Sequence, residues 1–475
     1  MITRLRLTNF KAWKELKIEF APVTGMFGAN SAGKSSLLQF LLLLKQTRDA
    51  TDRRIVLEFG GPDGLANLGS YREVVHGHDS SADISWRLAW RLPKERRIAA
   101  LSGDGRPVTL SGQEIETHCA VGLSETGRSS TPIAHRLTYR FDDYQFTLVQ
   151  SENGPKKGYG LDISHENQEF TLKRQQGRPF DRIPPPVKTH LFPPEVKWAY
   201  QNTDFLSDFE LEYEGLMDRI YYLGPLREYP LRHYDWSGAS PADVGSRGER
   251  AIHAILAAAA QEETRSLQPR AWRRPFQEII AHWLRELGLV DRFATAEIGS
   301  GSNVYQTRVT ANSSKTPTSL TDVGFGVSQI LPVLVLLYYV PRGSVVLLEQ
   351  PEIHLHPAVQ SRLADLFLCV AKHRNLQIIV ESHSQHLLQR LQRRVAEQQV
   401  HVPGREAYPA FMVSSDDVRL YFSSVSGGVG KLEDLQLNHW GEIENWPDGF
   451  FGDEMEEIAA ISSATLRRKL AGSSG

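Results

Sequence analysis

Gly28-Ala29-Asn30-Ser31-Ala32-Gly33-Lys34-Ser35 decides the reading of this chain, and Val345-Val346-Leu347-Leu348-Glu349-Gln350-Pro351-Glu352 completes it from the far half of the sequence. The first string fits G-x-x-x-x-G-K-[ST]. In that pattern glycines let backbone N–H groups wrap phosphates, Lys34 neutralises β/γ oxygens and the Ser35 hydroxyl reaches Mg²⁺. Residues 16–27 run apolar enough for a strand, and Ser36 to Gln46 has the look of a helix. Strand, glycine loop and helix stand in the order the motif needs. A helix opening at Ser35 aims its dipole and free N–H groups at bound phosphate, so Gly28, Asn30, Ser31, Ala32, Gly33, Lys34, Ser35 and Ser36 form the expected cradle. An ordinary glycine turn before a buried helix is the alternative.

In the second string, four apolar residues carry Glu349 to the C-terminal edge of a sheet, where it can hold Mg²⁺ together with Ser35. Glu352 lies three residues on and can orient the water that attacks a γ-phosphate. His383, in Val380-Glu381-Ser382-His383-Ser384, ends the next strand and can donate to that phosphate. Lys34, Glu352 and His383 are therefore the expected catalytic groups. His354 and His356 lack a third ligand at useful spacing, which weighs against a metal there.

The turn Asp322-Val323-Gly324-Phe325-Gly326-Val327-Ser328-Gln329 also precedes a helix and can offer N–H groups to an anion. One phosphate loop needs no second anion site. If Gly324, Gly326 and Ser328 serve a nucleotide held by another copy, the active form is a dimer with two nucleotides at its interface. The alternative is a glycine turn that opens a buried helix.

The 475 residues are 41% hydrophobic and 23% charged, the composition of a soluble protein with more than one lobe. Net charge is −2, so any nucleic-acid contact must be a local patch. The candidate patches are Arg270-Ala271-Trp272-Arg273-Arg274 and Arg390 with Arg393-Arg394, each better read as a solvated helix face. Cys119 and Cys369 stand far apart without ligand spacing, which points to a reducing, cytoplasmic setting. The longest apolar run, 330–340, is too short to span a bilayer, so no membrane partner is expected.

Four segments are expected: an N-terminal lobe over 1–195 with the phosphate loop and a β-rich part, a helical insertion over 196–292, a C-terminal lobe over 293–400, and an appendage over 401–475. The β-rich part rests on period-two runs such as Ile84 to Leu92, Leu137 to Phe141 and Tyr144 to Val149, with a hairpin at Asp142-Asp143. Pro184-Pro185-Pro186 and Pro193-Pro194 suggest a semi-rigid connector. Sustained heptads are missing, which argues against a coiled-coil arm.

This order of motifs resembles the ABC-type ATPase heads of the SMC, RecF and OLD families, with Leu7-Thr8-Asn9-Phe10-Lys11 similar to their first strand. The strings YYLGPLREYP, DVGFGVSQILPVL, LLEQPEIHLHP, ESHSQHLL and NWPDGFF look most like stand-alone bacterial AAA-type ATPases of the DUF3696 kind. Such proteins are similar to ATPase subunits of antiphage systems that act with a separate nuclease. The resemblance implies an α/β fold, a mixed sheet with flanking helices, carrying an antiparallel β-subdomain and a helical insertion. It further implies ATP and Mg²⁺ as cofactors, a homodimer or higher oligomer, and a nuclease effector held in check or licensed by ATP. A DNA repair ATPase that acts on DNA ends, and a non-hydrolysing nucleotide-sensing scaffold, are the rival readings. Three departures from the pattern matter. Gly324 stands where the signature serine is usual, with Ser328 as its replacement; Glu349 stands for Asp, which implies slow turnover; and Gln46 is the one candidate for the Mg²⁺-sensing glutamine. The residues after His383 hold no Glu with a later Asp-x-Asp, so a TOPRIM nuclease domain is not expected.

Overall fold

The computed structural model describes residues 1–475 except 63, 127–128, 151–157, 166–169, 177–181, 269–270, 300, 312–315, 398–411, 448–449, 451–462 and 464–475. Expectations that fall on Arg270, Phe451, the loop from 151 and most of the C-terminal tail lie outside the described residues.

The chain opens with strands β1 (Ile2–Phe10), β2 (Trp13–Glu19) and β3 (Val23–Gly28), helix α1 (Lys34–Asp49) and the short α2 (Tyr71–Val74). Strands β4 (Ile84–Leu101), β5 (Pro107–Thr126), β6 (Ser129–Phe141), β7 (Tyr144–Gln150) and β8 (Tyr159–Ser164) follow. The middle holds α3 (Glu195–Ala199), α4 (Leu206–Asp218), β9 (Ile220–Leu223), β10 (Tyr234–Asp235), α5 (Ala251–Ala260), β11 (Thr264–Arg265), β12 (Arg274–Pro275), α6 (Phe276–Glu286), β13 (Arg292–Glu297), β14 (Val304–Thr310) and β15 (Thr318–Ser319). Then come α7 (Phe325–Tyr339), β16 (Val345–Glu349), α8 (Pro357–Arg374), β17 (Gln377–Glu381), α9 (Gln385–Ala396), β18 (Val418–Ser426) and β19 (Val429–Leu435).

The fold is α/β. Its centre is a six-stranded sheet ordered β19-β18-β3-β17-β16-β9, parallel except for the β18/β19 hairpin at its edge. Alternate residues of these strands feed two separate cores. Met26, Val345, Leu347 and Ile379 face a core shared with α1 and the second sheet. Val23, Val346, Leu348, Ile378 and Val380 face one built with α5 to α9. Burial on both faces is why these strands are apolar throughout, as parallel strands covered on both sides must be. The second sheet is antiparallel, seven-stranded and ordered β2-β1-β4-β5-β6-β7-β8; α1 lies against it, with Phe40 edge-on to Phe10 and Trp86 at 5.2 and 5.4 Å. Asp142 and Asp143 turn between β6 and β7, where Phe141 pairs with Tyr144. The longest described helix, α8, has 18 residues, and no coiled-coil arm is present among the described residues.

Three sequence expectations change. The apolar stretch 16–27 is two strands in different sheets, because the chain leaves β2 after Glu19 and Pro22 has no N–H with which to continue a ladder. The supposed insertion contributes β9, whose Ile220 to Leu223 pair in parallel with Val345 to Leu348. The supposed appendage contributes β18, whose Val418 to Ser423 pair with Val23 to Gly28. β9 has only four residues, and β18, nine residues long, mixes Arg419, Ser423, Ser424 and Ser426 among its apolar positions, so neither shows the unbroken apolar run of β16.

Candidate functional site

β3 ends at Gly28, and the loop it feeds closes into α1 at Lys34. Two contacts from distant chain segments shape that loop. Gly28 has φ 130°, and a Cβ there would stand 2.0 Å from the Ser423 carbonyl oxygen of β18. Gly33, with φ 85°, would place a Cβ 2.9 Å from the Trp13 indole, whose Nε1 donates to Gly33 O at 3.2 Å. Only glycine meets both the backbone angle and the close approach at these positions. The Ser423 hydroxyl donates to Ala32 O, and Gly430 N donates to Ala12 O at 2.8 Å, so the β18/β19 hairpin forms the floor of the loop. Asn30 and Ser31 are exposed, Ala32 is buried, and Ser36 N closes the first turn on Gly33 O at 3.0 Å.

Lys34 is buried, with Nζ donating to Gly28 O at 3.1 Å and Ala29 O at 2.7 Å. Its pKa lies below the usual lysine value because burial disfavours the charge, an effect that Glu381 and Glu352 oppose. At the neighbouring strand ends, Glu349 and Glu381 are register partners. Burial and then Glu381 push Glu349 up to about 7, opposed by a hydrogen bond from Tyr222 Oη to Oε1 at 3.0 Å and by Arg227. Arg227 Nη2 also donates to the Glu349 carbonyl at 3.3 Å. Burial likewise raises Glu381, opposed by the Ser35 hydroxyl and Lys34. Glu352 is buried, accepts His383 N on Oε1 at 2.7 Å and is raised mainly by burial. His383 is lowered by burial and Lys34, and its imidazole bonds the Gly28 backbone.

Lys34, Ser35, Glu349, Glu352 and His383 are thus brought together at one edge of the parallel sheet. Glu381, Tyr222 and Arg227 join them, and the sequence reading had missed all three roles. For Glu381 a signal existed: it ends an apolar strand just as Glu349 does. Tyr222 and Arg227 sit in Tyr221-Tyr222-Leu223-Gly224-Pro225-Leu226-Arg227-Glu228, which becomes informative only once β9 is seen beside β16.

These residues suit a magnesium-bound nucleotide phosphate. Glu352 Oε2 and Glu381 Oε2 are buried without a full hydrogen bond among the described residues, and so are Nε and Nη1 of Arg227. Carboxylate and hydroxyl oxygens match a hard cation. Among the described residues no cluster of three or more His, Cys, Asp or Glu could hold a metal by itself. His354 is exposed, and His356 caps α8 by accepting Ala358 N on Nδ1 at 3.3 Å.

Other expectations are corrected. Gln46 lies twelve residues along α1 from Lys34, about 18 Å at helical rise. Its amide donates to Glu58 O and accepts from Ala66 N at 3.1 Å, so it pins the 58–66 loop and stands outside the site. Ser328 is buried and its hydroxyl donates to Phe325 O at 2.8 Å within its own helix, which leaves it unavailable to a partner's phosphate. Gly324 and Gly326 do open α7, in ordinary backbone conformations. A Cβ on Gly324 would meet nothing within 4 Å, and one on Gly326 would lie 3.5 Å from Leu355. Arg390 and Arg394 are both spent on Asp365, and Arg393 on Glu397. Phe450 of the tail is buried against Phe422 and Phe27 at ring distances of 4.7 and 6.3 Å, so the aromatic tail docks on the head.

Family models match three stretches of the chain. Residues 1–84 match one described as "AAA ATPase domain", 102–389 one described as "AAA domain, putative AbiEii toxin, Type IV TA system", and 413–461 one described as "Protein of unknown function (DUF3696)". Among solved structures, an SMC head domain from Thermotoga maritima aligns at TM-score 0.40 with 11% identity, over 92% of this chain and 99% of that one. An SMC head bound to the C-winged helix domain of ScpA aligns at 0.39 with 13% identity, over 92% and 98%. An SMC head with an extended coiled coil, bound to the C-terminal domain of ScpA derived from Pyrococcus furiosus, aligns at 0.37 with 11% identity, over 91% and 96%. No curated protein matches.

Proposed function

We propose, from the premise that the chain belongs to the AAA-domain family matched over residues 102–389, that it is a slow MgATP hydrolase that pairs head to head and controls a partner effector. The observation that carries this reading is the convergence of Lys34, Ser35, Glu352 and His383 on one sheet edge. Lys34 and the N–H groups of Gly28 to Ser36 would hold the phosphates. Ser35, Glu349 and Glu381 would hold Mg²⁺, which when bound draws charge from the β- and γ-phosphate oxygens. Glu352, fixed by the His383 amide, orients water and accepts its proton, and the His383 imidazole donates to the phosphate. Slow turnover follows from Glu349 standing where an aspartate is usual, since the longer arm holds the metal less firmly.

The dimer is supported by Gly324, open to any approaching group, and by the exposed apolar Phe325 next to it, which meets the exposed Tyr229. Tyr229 and Phe325 meet edge-to-face at 5.5 Å. We place the chain in bacterial defence, acting on a nuclease. The family description, with its putative toxin of a Type IV system, supports a defence setting.

The test is Glu352→Gln, assayed for hydrolysis and for solution mass with and without MgATP and the product of the neighbouring gene. Turnover is expected to fall about 10²- to 10⁴-fold while nucleotide binding persists. Mass should rise with MgATP and include the neighbour. Unchanged turnover would remove Glu352 from its role, and a constant mass would count against the paired state.

A further inference from the structure

Arg227 and Leu226 occupy each other's expected places. The arginine is 6% exposed and the leucine beside it 74% exposed, where the hydrophobic effect alone would put the leucine inside and the guanidinium in water. The buried group is also incompletely paired. Nη2 donates to Glu349 O at 3.3 Å, whereas Nε and Nη1 are buried without a hydrogen bond, and no ion pair engages Arg227 among the described residues. A cation held this way lowers stability, and an apolar side chain of similar size in its place is often neutral or stabilising. Packing therefore gives no reason for an arginine here.

The surrounding backbone gives one. Gly224 N donates to Ser246 O at 2.7 Å and Glu228 N to Arg247 O at 2.9 Å, so the loop is anchored on both sides of Arg227. β9 pairs with β16 only as far as Leu223 and Leu348, and Arg227 supplies the bond at the next residue, Glu349 O. It thus extends the grip of β9 onto the start of the turn that carries Glu352. In that turn Gln350 has φ 44°, its N–H donates to Glu381 O at 2.8 Å, and Ile353 N closes on Gln350 O at 3.2 Å. The Glu352 carboxylate is held from the β17 side by the His383 N–H at 2.7 Å. Arg227 holds the same turn from the β9 side.

The charges agree with the geometry. Glu349, Glu352 and Glu381 crowd one sheet edge, where Lys34 of the phosphate loop interacts with Glu381 and Glu352, and Lys11, bonded to Gln39 at 2.6 Å, interacts with Glu349. Arg227 interacts with both Glu349 and Glu352. It is the cation shared by the metal-side acid and the water-side acid.

We propose that Arg227 is a positioning residue for hydrolysis: through Glu349 O and its charge it fixes the Glu349–Glu352 turn, so that Glu352 stays aimed at the attacking water. The inference rests on the hydrolase reading above and adds to it a residue that acts through the two acids.

The experiment compares Arg227→Met and Arg227→Lys with the natural protein for kcat, KM and melting temperature in MgATP hydrolysis, with Glu352→Gln as the reference for a lost acid. Arg227→Met should lower kcat about 10- to 100-fold, leave KM within about twofold, and melt within about 2 °C of the natural protein or above it. Arg227→Lys keeps the charge and a donor and should recover several-fold of the lost kcat. Should the methionine variant fail to fold, Arg227→Gln is read in its place, with the same split between kcat and KM expected. Unchanged kcat in a folded variant, in a protein whose hydrolysis Glu352→Gln removes, overturns this inference and leaves the hydrolase reading standing. A raised KM at constant kcat overturns it too, by making Arg227 a phosphate ligand. So does a kcat loss that accompanies early melting and that lysine fails to reverse, the behaviour of a structural residue. No hydrolysis by the natural protein overturns the hydrolase reading and this inference with it.

Discussion

The Tyr222 hydroxyl donates to Glu349 Oε1 at 3.0 Å, joining the edge strand β9 to the acid at the tip of β16. Because this bond favours the ionised carboxylate, it keeps Glu349 from rising further than burial and Glu381 already push it. Tyr222→Phe removes that restraint at a stability cost of about 1 kcal/mol. The Mg²⁺ concentration that half-saturates hydrolysis should rise several-fold, and the pH profile should move to higher pH. A Mg²⁺ titration of the steady-state rate at several pH values checks both shifts; a profile that stays in place would separate Tyr222 from metal binding.

Ser423 supports the phosphate loop although almost the whole chain separates them. Gly28→Ala would drive a methyl group into the Ser423 carbonyl and should abolish nucleotide binding, since loop or β18 must move. Ser423→Ala keeps the backbone contact and loses only the hydroxyl bond to Ala32 O, at about 1 kcal/mol. Calorimetric ATP titrations of the two variants should show a loss in the first and a reduction of a few-fold in the second.

A Cβ at Gly324 would meet nothing within 4 Å in the subunit, and the residue is exposed. Gly324→Trp should leave the melting temperature within about 1 °C, a surface change worth less than about 0.5 kcal/mol. It should nevertheless prevent the MgATP-dependent rise in mass expected in the Glu352→Gln background. Sedimentation of the double variant gives the answer, and a normal dimer would place the interface elsewhere.

Glu210 provides a pH test away from the site. It accepts Phe192 N at 2.7 Å, and burial pushes its carboxyl up to about 7 from 4.5. The folded state therefore holds this proton more tightly than the unfolded chain. That contribution is complete below about 4.5 and is lost as pH rises through about 7. Glu210→Gln keeps the acceptor and removes the titration. Relative to the natural protein it should gain about 2 kcal/mol between pH 5 and pH 8, read from urea midpoints. A constant difference would show that Glu210 is ionised in the fold.

Local patterns carried much of this molecule. Gly28 to Ser35 and Val345 to Glu352 were legible because phosphate loops and buried strand ends need particular residues at adjacent positions. The alternating strands from Ile84 to Val149 were legible because one face of their sheet is wet. Gln46 and Ser328 were misread because a polar side chain near a motif says nothing of its hydrogen-bond partner. Here those partners are the 58–66 loop and the α7 backbone.

The sequence by itself determined the chemistry on offer: a phosphate cradle, two acids and a histidine at strand ends, and a glycine turn before a helix. Only the tertiary structure decided which strands neighbour one another. It set β9 beside β16 and β18 beside β3, so that Tyr222, Arg227 and Ser423 reached the site. The physical reason is that strand pairing is made by backbone groups common to every residue. The order of strands follows from which apolar faces can be buried together, a property of the whole sheet that no short window of sequence contains.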